Sequence, residues 1–166
     1  MLQPTVRRTW APQGQTPIHK SWDRHDRLSV TGAITVSPGR QRPGLYFSIA
    51  RWNLTGDDVL RFVQQLYGHL KRPLLVIWDR WSGHKKAARL LKHLYGPRIH
   101  VEFLPAYAPE LNVVEQCWGH TKYGEMANFI PQDIEDLAHE VADSLIAKHH
   151  RRDLLRAFFQ HAQLPL

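Results

Sequence analysis

One short run constrains this chain more than any other feature: Leu74-Leu75-Val76-Ile77-Trp78, five apolar residues ended by Asp79. An unbroken apolar run of that length is too short for a core helix. It reads as a strand buried on both faces, of the kind found inside an α/β sheet. In such sheets binding sites gather at the carboxyl ends of the buried strands, which is where Asp79 stands. Its charge surroundings are uneven. Residues 71 to 98 carry eight Lys/Arg against one acid, Asp79, whereas residues 109 to 143 carry eight acids against one base, Lys122. A single carboxylate inside a basic block is the first candidate for chemistry.

The flanking patterns supply the other elements. Leu28 to Val36 and Gly44 to Trp52 are β-branched and aromatic runs separated by a Pro/Gly-rich loop, an antiparallel hairpin. Val59, Phe62, Val63, Leu66, Tyr67 and Leu70 form one apolar helical stripe, with Thr55 as its cap and Asp57 and Asp58 in the first turn. Ser82 is expected to cap a basic helix running to about Tyr95, with Ala87, Leu91 and Leu94 inward. A strand at Ile99 to Leu104 and a helix from near Asn112 follow. Pro131 is expected to open a further helix, and a last one runs from Asp153 to about Gln163. The order β-β-α-β-α-β-α-α-α predicts a mixed sheet with helices packed on it. Residues 1–27 read as irregular chain.

Length and composition narrow the function classes. A chain of 166 residues with 43% hydrophobic content suits one folded domain. Cys117 is the only cysteine, which excludes an intrachain disulfide and a thiolate metal cluster and fits a reducing cytosol. No window reaches the length of a membrane helix, and the start lacks the apolar stretch of a signal peptide. There is no Walker loop, GxGxxG, GxSxG or HExxH, so no zinc site is expected. A formal net charge of +7 points toward a polyanionic partner.

Several residues could carry chemistry, each with a plainer alternative. Asp79 is either a rigidly held metal-binding carboxylate or a strand-end cap for the next helix, helped by Arg80 or Lys85. Glu115, 36 residues later, is either a second carboxylate facing the same crevice or the third-position partner of Asn112 in a capping box. His84 is either a phosphate or water contact or an inert surface histidine. His149-His150-Arg151-Arg152 is a solvated helix end or a DNA contact. The tryptophans read as core or loop anchors, with Trp81 and Trp118 the least certain. Two carboxylates from separate elements suit Mg²⁺, which takes one or two carboxylates plus waters and phosphate oxygens. Two such ions would serve phosphodiester chemistry. The basic block would hold a phosphate backbone nearby.

Taken together, the segments Leu74 to Ala87 (LLVIWDRWSGHKKA) and Val101 to Lys122 (VEFLPAYAPELNVVEQCWGHTK) resemble the second and third acidic motifs of DDE transposases. The nearest branch is the bacterial insertion-sequence 630 family within the mariner superfamily. There an apolar strand ends in Asp, a His follows five residues on, and a Leu-Pro-x-Tyr-x-Pro-Glu-Leu-Asn segment leads to a Glu and then a Trp. Those positions are Asp79, His84, Leu104 to Asn112, Glu115 and Trp118. The segment Val6 to Pro17 is similar to these enzymes too. The departures are Arg80 where the family has Asn, and Val113-Val114 where it has Pro-Ile.

The resemblance implies an RNase H-like fold, a mixed five-stranded sheet flanked by helices, with its first strand missing here. The implied layout is an irregular segment over 1–27, an incomplete catalytic core over 28–125, and C-terminal helices over 126–166 packed on it. It implies DNA transposition: cutting and joining of DNA by two Mg²⁺ ions, with Mn²⁺ as a substitute. Asp79 and Glu115 are the implied ligands, and His84, Lys85, Lys86, Arg89 and Lys122 the implied DNA contacts. The implied partners are double-stranded DNA at transposon ends and target, with a homodimer possible and no membrane. The implied location is the bacterial cytoplasm, at the nucleoid when on DNA. The family's first catalytic Asp precedes the Arg-Arg-Thr-Trp segment, so neither Asp23 nor Asp26 matches it. The expectation is a chain truncated before that Asp and inactive alone. Two other readings stay open: a non-catalytic remnant that only binds DNA or dimerises, and an unrelated α/β hydrolase of small phosphorylated substrates.

Overall fold

The computed structural model describes residues 7–16, 18, 28–39 and 42–166. Residues 7–16 and 18 form no helix or strand; Asp23 and Asp26 lie outside the described residues. Strand β1 (Ser29–Val36) pairs antiparallel with β2 (Pro43–Ala50), Ser29 opposite Ala50 and Val36 opposite Pro43. After helix α1 (Gly56–Leu70), β3 (Leu74–Trp78) runs parallel to β4 (Ile99–Phe103), with α2 (Ser82–Tyr95) as the crossover. Helix α3 (Val113–Gly119) continues without a break into a π-helical turn, His120–Glu125. Helices α4 (Ile134–His150) and α5 (Arg152–His161) complete the order. The four strands make one antiparallel and one parallel pair, and among the described residues no ladder joins the two pairs.

Each pair has its own apolar core. Leu28 and Leu45 of the hairpin region pack with Val113, Cys117, Val141, Leu145, Leu155 and Phe158 of α3, α4 and α5. Val59 and Val63 of α1 pack with Ala87 and Leu91 of α2 against Trp78 and Ile99. Both helices therefore cover the same face of β3–β4. The expectation that β3 is buried on both faces is corrected. Leu74, Val76 and Trp78 face the helices, while Leu75 and Ile77 are 61% and 57% exposed. An unbroken apolar run cannot report how many faces are covered, because that is set by elements distant in sequence.

The helix ends follow local chemistry, with three corrections. Thr55 does cap α1: its hydroxyl accepts from the Asp58 N–H, and the Asp58 carboxylate accepts from the Thr55 N–H at 2.8 Å. Those hydrogen bonds from Thr55 hold the Asp58 carboxyl below its ordinary range. Ser82 does not cap α2. It is the first helical residue, and Trp81 stands at the cap without a side-chain bond. Leu94 is 56% exposed rather than inward. Helix α4 starts at Ile134 rather than Pro131, because the Asp133 carboxylate accepts from the Asp136 N–H at 2.7 Å.

A buried charged network joins the π-helical turn to α4. Lys148 is 1% exposed and donates to Glu125 and, at 2.8 Å, to the Ser144 hydroxyl. The Ser144 hydroxyl also bonds Glu125 at 2.6 Å and Thr121 at 3.1 Å. Burial pushes the Glu125 carboxyl up, but the hydrogen bonds from Lys148 and Ser144 outweigh it and hold it below its ordinary value. A carboxylate depressed in the folded state contributes stability above its unfolded pKa and loses it as pH falls through the folded one. We therefore expect acid unfolding to shift toward neutral pH in Lys148→Ala. Stripping a buried charge pair of one partner costs about 3–5 kcal/mol. The lower end is expected here, since water reaches Glu125. Urea unfolding of Lys148→Ala beside a Glu125→Gln/Lys148→Met double variant checks this. The double variant should recover most of the loss, and equal losses in both would disprove the pairing.

Candidate active site

Strand β3 delivers Asp79 to its carboxyl end, and α2 begins three residues later. The Asp79 Oδ1 accepts a hydrogen bond from the Trp81 N–H at 2.8 Å and lies 2.7 Å from His84 Nδ1. His84 is fixed by two indoles. Its ring stacks on Trp78 at 4.7 Å and 5° and meets Trp81 edge-on at 5.2 Å and 89°. Trp81 reaches this position only because residue 83 is glycine: a Cβ there would stand 2.3 Å from the indole. Arg80 plays no part, since its Nε donates to the Leu104 carbonyl at 3.1 Å. Asp79 thus does serve the start of α2, through one oxygen, and its ring partner is His84 rather than Arg80 or Lys85.

Glu115 is the third residue of α3. The capping box open to it in sequence does not form: Asn112 makes no side-chain cap bond, and the Glu115 N–H goes to the Asn112 carbonyl at 2.9 Å. The carboxylate is left free of the cap, within reach of the charge of Asp79. Its pKa is raised, first by burial and then by the negative charge of Asp79. Glu115 is exposed as a residue, so neighbouring protein removes only part of its hydration. Helix α3 is seated on β1 three residues further on. A Cβ at Gly32 would stand 2.6 Å from the Trp118 ring, so that glycine makes the room in which Trp118 docks. Trp118 is therefore an anchor. Trp81 is a wall of the site.

The basic block does not stay together. Lys85 and Lys86 lie in the first half of α2, on the Asp79 side, Arg89 lies just past its midpoint, and Lys71, Arg72 and Arg98 precede β3 and β4 at the opposite end. Lys86 is tied to Asp57 at 2.7 Å, which leaves it less free for a ligand than its neighbours. Lys122 lies in the π-helical turn with its ammonium 5.2 Å from the Tyr123 ring. Sequence reasoning did not find the Trp78–His84 stack or the Lys148–Glu125 pair. The second had a signal, Ser144 and Lys148 at helical spacing on an otherwise apolar face. Among the described residues no group of three His, Cys, Asp or Glu is placed to hold a metal ion. Nor is any helix long and apolar enough to cross a membrane.

The DDE superfamily endonuclease family matches residues 1–138. The chain belongs to the DDE superfamily endonucleases. The chain is also similar in structure to the Mos1 strand transfer complex, with a TM-score of 0.63 and 14% identity. The match covers 98% of this chain and 48% of the other, so the chain spans about half the length of that relative. The likeness gives the chain an RNase H-like fold. A comparison with curated proteins finds no match.

A raised Glu115 pKa has a definite sign. The folded state binds the proton more tightly than the unfolded one, so the stability it contributes is present at low pH and is lost as pH rises through the folded pKa. Glu115→Gln should therefore stabilise the protein at neutral pH, by up to about 1 kcal/mol, the scale of solvent-screened charge pairs. Asp79→Asn should lower the Glu115 titration without restoring it fully, because burial persists. Carboxyl-carbon NMR and thermal unfolding read both. An unmoved Glu115 titration in Asp79→Asn would separate the two groups.

Proposed function

We propose that this chain is part of a DNA transposase, with Asp79 and Glu115 as ligands for divalent metal. One observation carries the reading. Two carboxylates far apart in sequence, one ending β3 and one opening α3, come near enough for the charge of Asp79 to act on Glu115. A fold tolerates such a pair where a cation neutralises it. The donors are hard oxygens of the kind Mg²⁺ and Mn²⁺ prefer, and one Asp79 oxygen is already oriented by Trp81 and His84, which fits a metal-binding role. When bound, metal would activate an attacking oxygen and stabilise the leaving one.

In this reading His84 is a positioning residue that fixes the Asp79 carboxylate, and Lys85 and Arg89 hold the phosphate backbone beside it. Lys86 and Lys122 contribute more weakly. A third carboxylate, supplied from outside the described residues, completes the site; alone, the chain binds metal weakly and does not nick DNA. An error near 1 Å in such a site costs about a hundredfold, and the loss of a whole ligand costs more. The alternative is a non-catalytic remnant that only binds DNA or dimerises.

Titration calorimetry with Mn²⁺ should show weak binding that disappears in the Asp79→Ala/Glu115→Ala double variant. Binding unchanged in that variant would sink the assignment. Strand nicking should be absent in the 166-residue chain and appear when the polypeptide is extended upstream through an apolar strand ending in Asp. Nicking by the short chain, lost in Asp79→Ala, would show that it already holds the third ligand. No nicking by either would favour the remnant.

Duplex DNA should bind without sequence preference. With about five phosphates engaged, log K should fall against log salt with a slope of roughly −4 to −5. Affinity that ignores salt would contradict this.

A further inference from the structure

The cations left at the far end of β3 have no role in the site above, and three chain segments bring them together. Lys71 and Arg72 follow α1. The parallel register sets Leu74 beside Ile99, which puts Arg98 next to the residues that precede β3, about one strand spacing away. The third segment is the corner between α4 and α5. The Tyr46 ring brings it in, meeting His69 in the last turn of α1 at 5.4 Å and His149 in the last turn of α4 at 6.1 Å. His149 is held there by its Nδ1 bond to the Leu45 carbonyl at 2.7 Å. Arg151 and Arg152 follow at once.

Helix dipoles explain only part of this. A cation after α1 is favoured by that helix's negative end. At the α4–α5 corner a negative and a positive helix end meet and largely cancel, so the dipoles do not account for two arginines. Arg151 is offset by Asp153 at 3.1 Å. Among the described residues no acid pairs with Arg72, Arg98 or Arg152, and all three are exposed. Unpaired cations from three segments at one end repel one another, and a polyanion relieves that repulsion.

We propose that this end of the molecule is a second contact for the DNA backbone, separate from the face beside Asp79. The choice of DNA as the polyanion rests on the function proposed above. The spacing fits a duplex. Strand β3 is five residues long, which sets the two basic ends about 17 Å apart at about 3.3 Å per residue. That is about half of a helical turn of roughly 34 Å, so one duplex lying along β3 reaches both ends.

The experiment uses the full chain and a 20-base-pair duplex, with anisotropy measured across a salt series. One variant carries Arg72→Gln, Arg98→Gln and Arg152→Gln; a second carries Lys85→Gln and Arg89→Gln; poly-glutamate is the competitor. Circular dichroism confirms that each variant folds, and all five positions are exposed. Each lost phosphate contact should reduce the steepness of log K against log salt by about 0.9. The first variant should therefore flatten the slope by about 2 to 3, with Mn²⁺ binding unchanged. A slope flattened only by the second variant overturns this contact and leaves the DNA reading standing. A slope moved by neither overturns both. Poly-glutamate competing as well as DNA, charge for charge, overturns DNA as the partner of this end in favour of an acidic protein.

Discussion

The convergence of Asp79 and Glu115 from separate elements, near enough for the charge of one to act on the other, is the constraint from which the site is built. Left to themselves, two carboxylates separate or one takes a proton; here each is held by its own apparatus. Asp79 is fixed by β3, by the Trp81 N–H and by a histidine clamped between two indoles. Glu115 is fixed by α3, which is seated on β1 through Trp118 and Gly32 and continues into the turn tied to α4 through Glu125 and Lys148. The two supports belong to different apolar cores. The pair therefore sits where two separately packed halves meet. Sites preorganised in this way carry local instability that the surrounding packing must offset.

Much of this was legible in the sequence, for reasons that can be named. The apolar run ending in Asp79 located the strand end because burial and brevity together leave little else for it to be. The α1 stripe and its Thr55 cap were equally direct, since helical period and capping are local. Glu115 was different. Periodicity left it undecided between a ligand and a capping box, and only its long flanking motif resembled a family in which a Glu stands there. The structure removes the capping alternative by leaving the Asn112 side chain without a cap bond.

What stayed hidden depended on contacts between distant segments. The run at 74–78 predicts burial on both faces, but α1 and α2 lie on one side, and Leu75 and Ile77 are left bare on the other. The basic block is contiguous in sequence, yet a strand–helix–strand unit returns the chain to where it began. Its cations are thereby sorted to the two ends of β3. Lys148 looked like one of many lysines until α4 placed it beside Glu125.

The charge distribution follows from the same topology. A parallel pair with its crossover helix has two chemically distinct ends: one collects residues that follow strands, the other those that precede them. Here the first end carries Asp79 with Lys85 nearby, and the second carries Arg72 and Arg98. The hairpin core reaches both ends, presenting Glu115 to one and the α4–α5 corner to the other. At the Asp79 end carboxylates and cations are mixed, Asp57 included through its pair with Lys86, whereas the far end is positive. In the proposed function a polyanion lying along β3 would pass the Asp79 end, where a cation would offset the cost of bringing phosphate near two carboxylates. Backbone binding and metal binding, as proposed, would in this way be coupled by electrostatics.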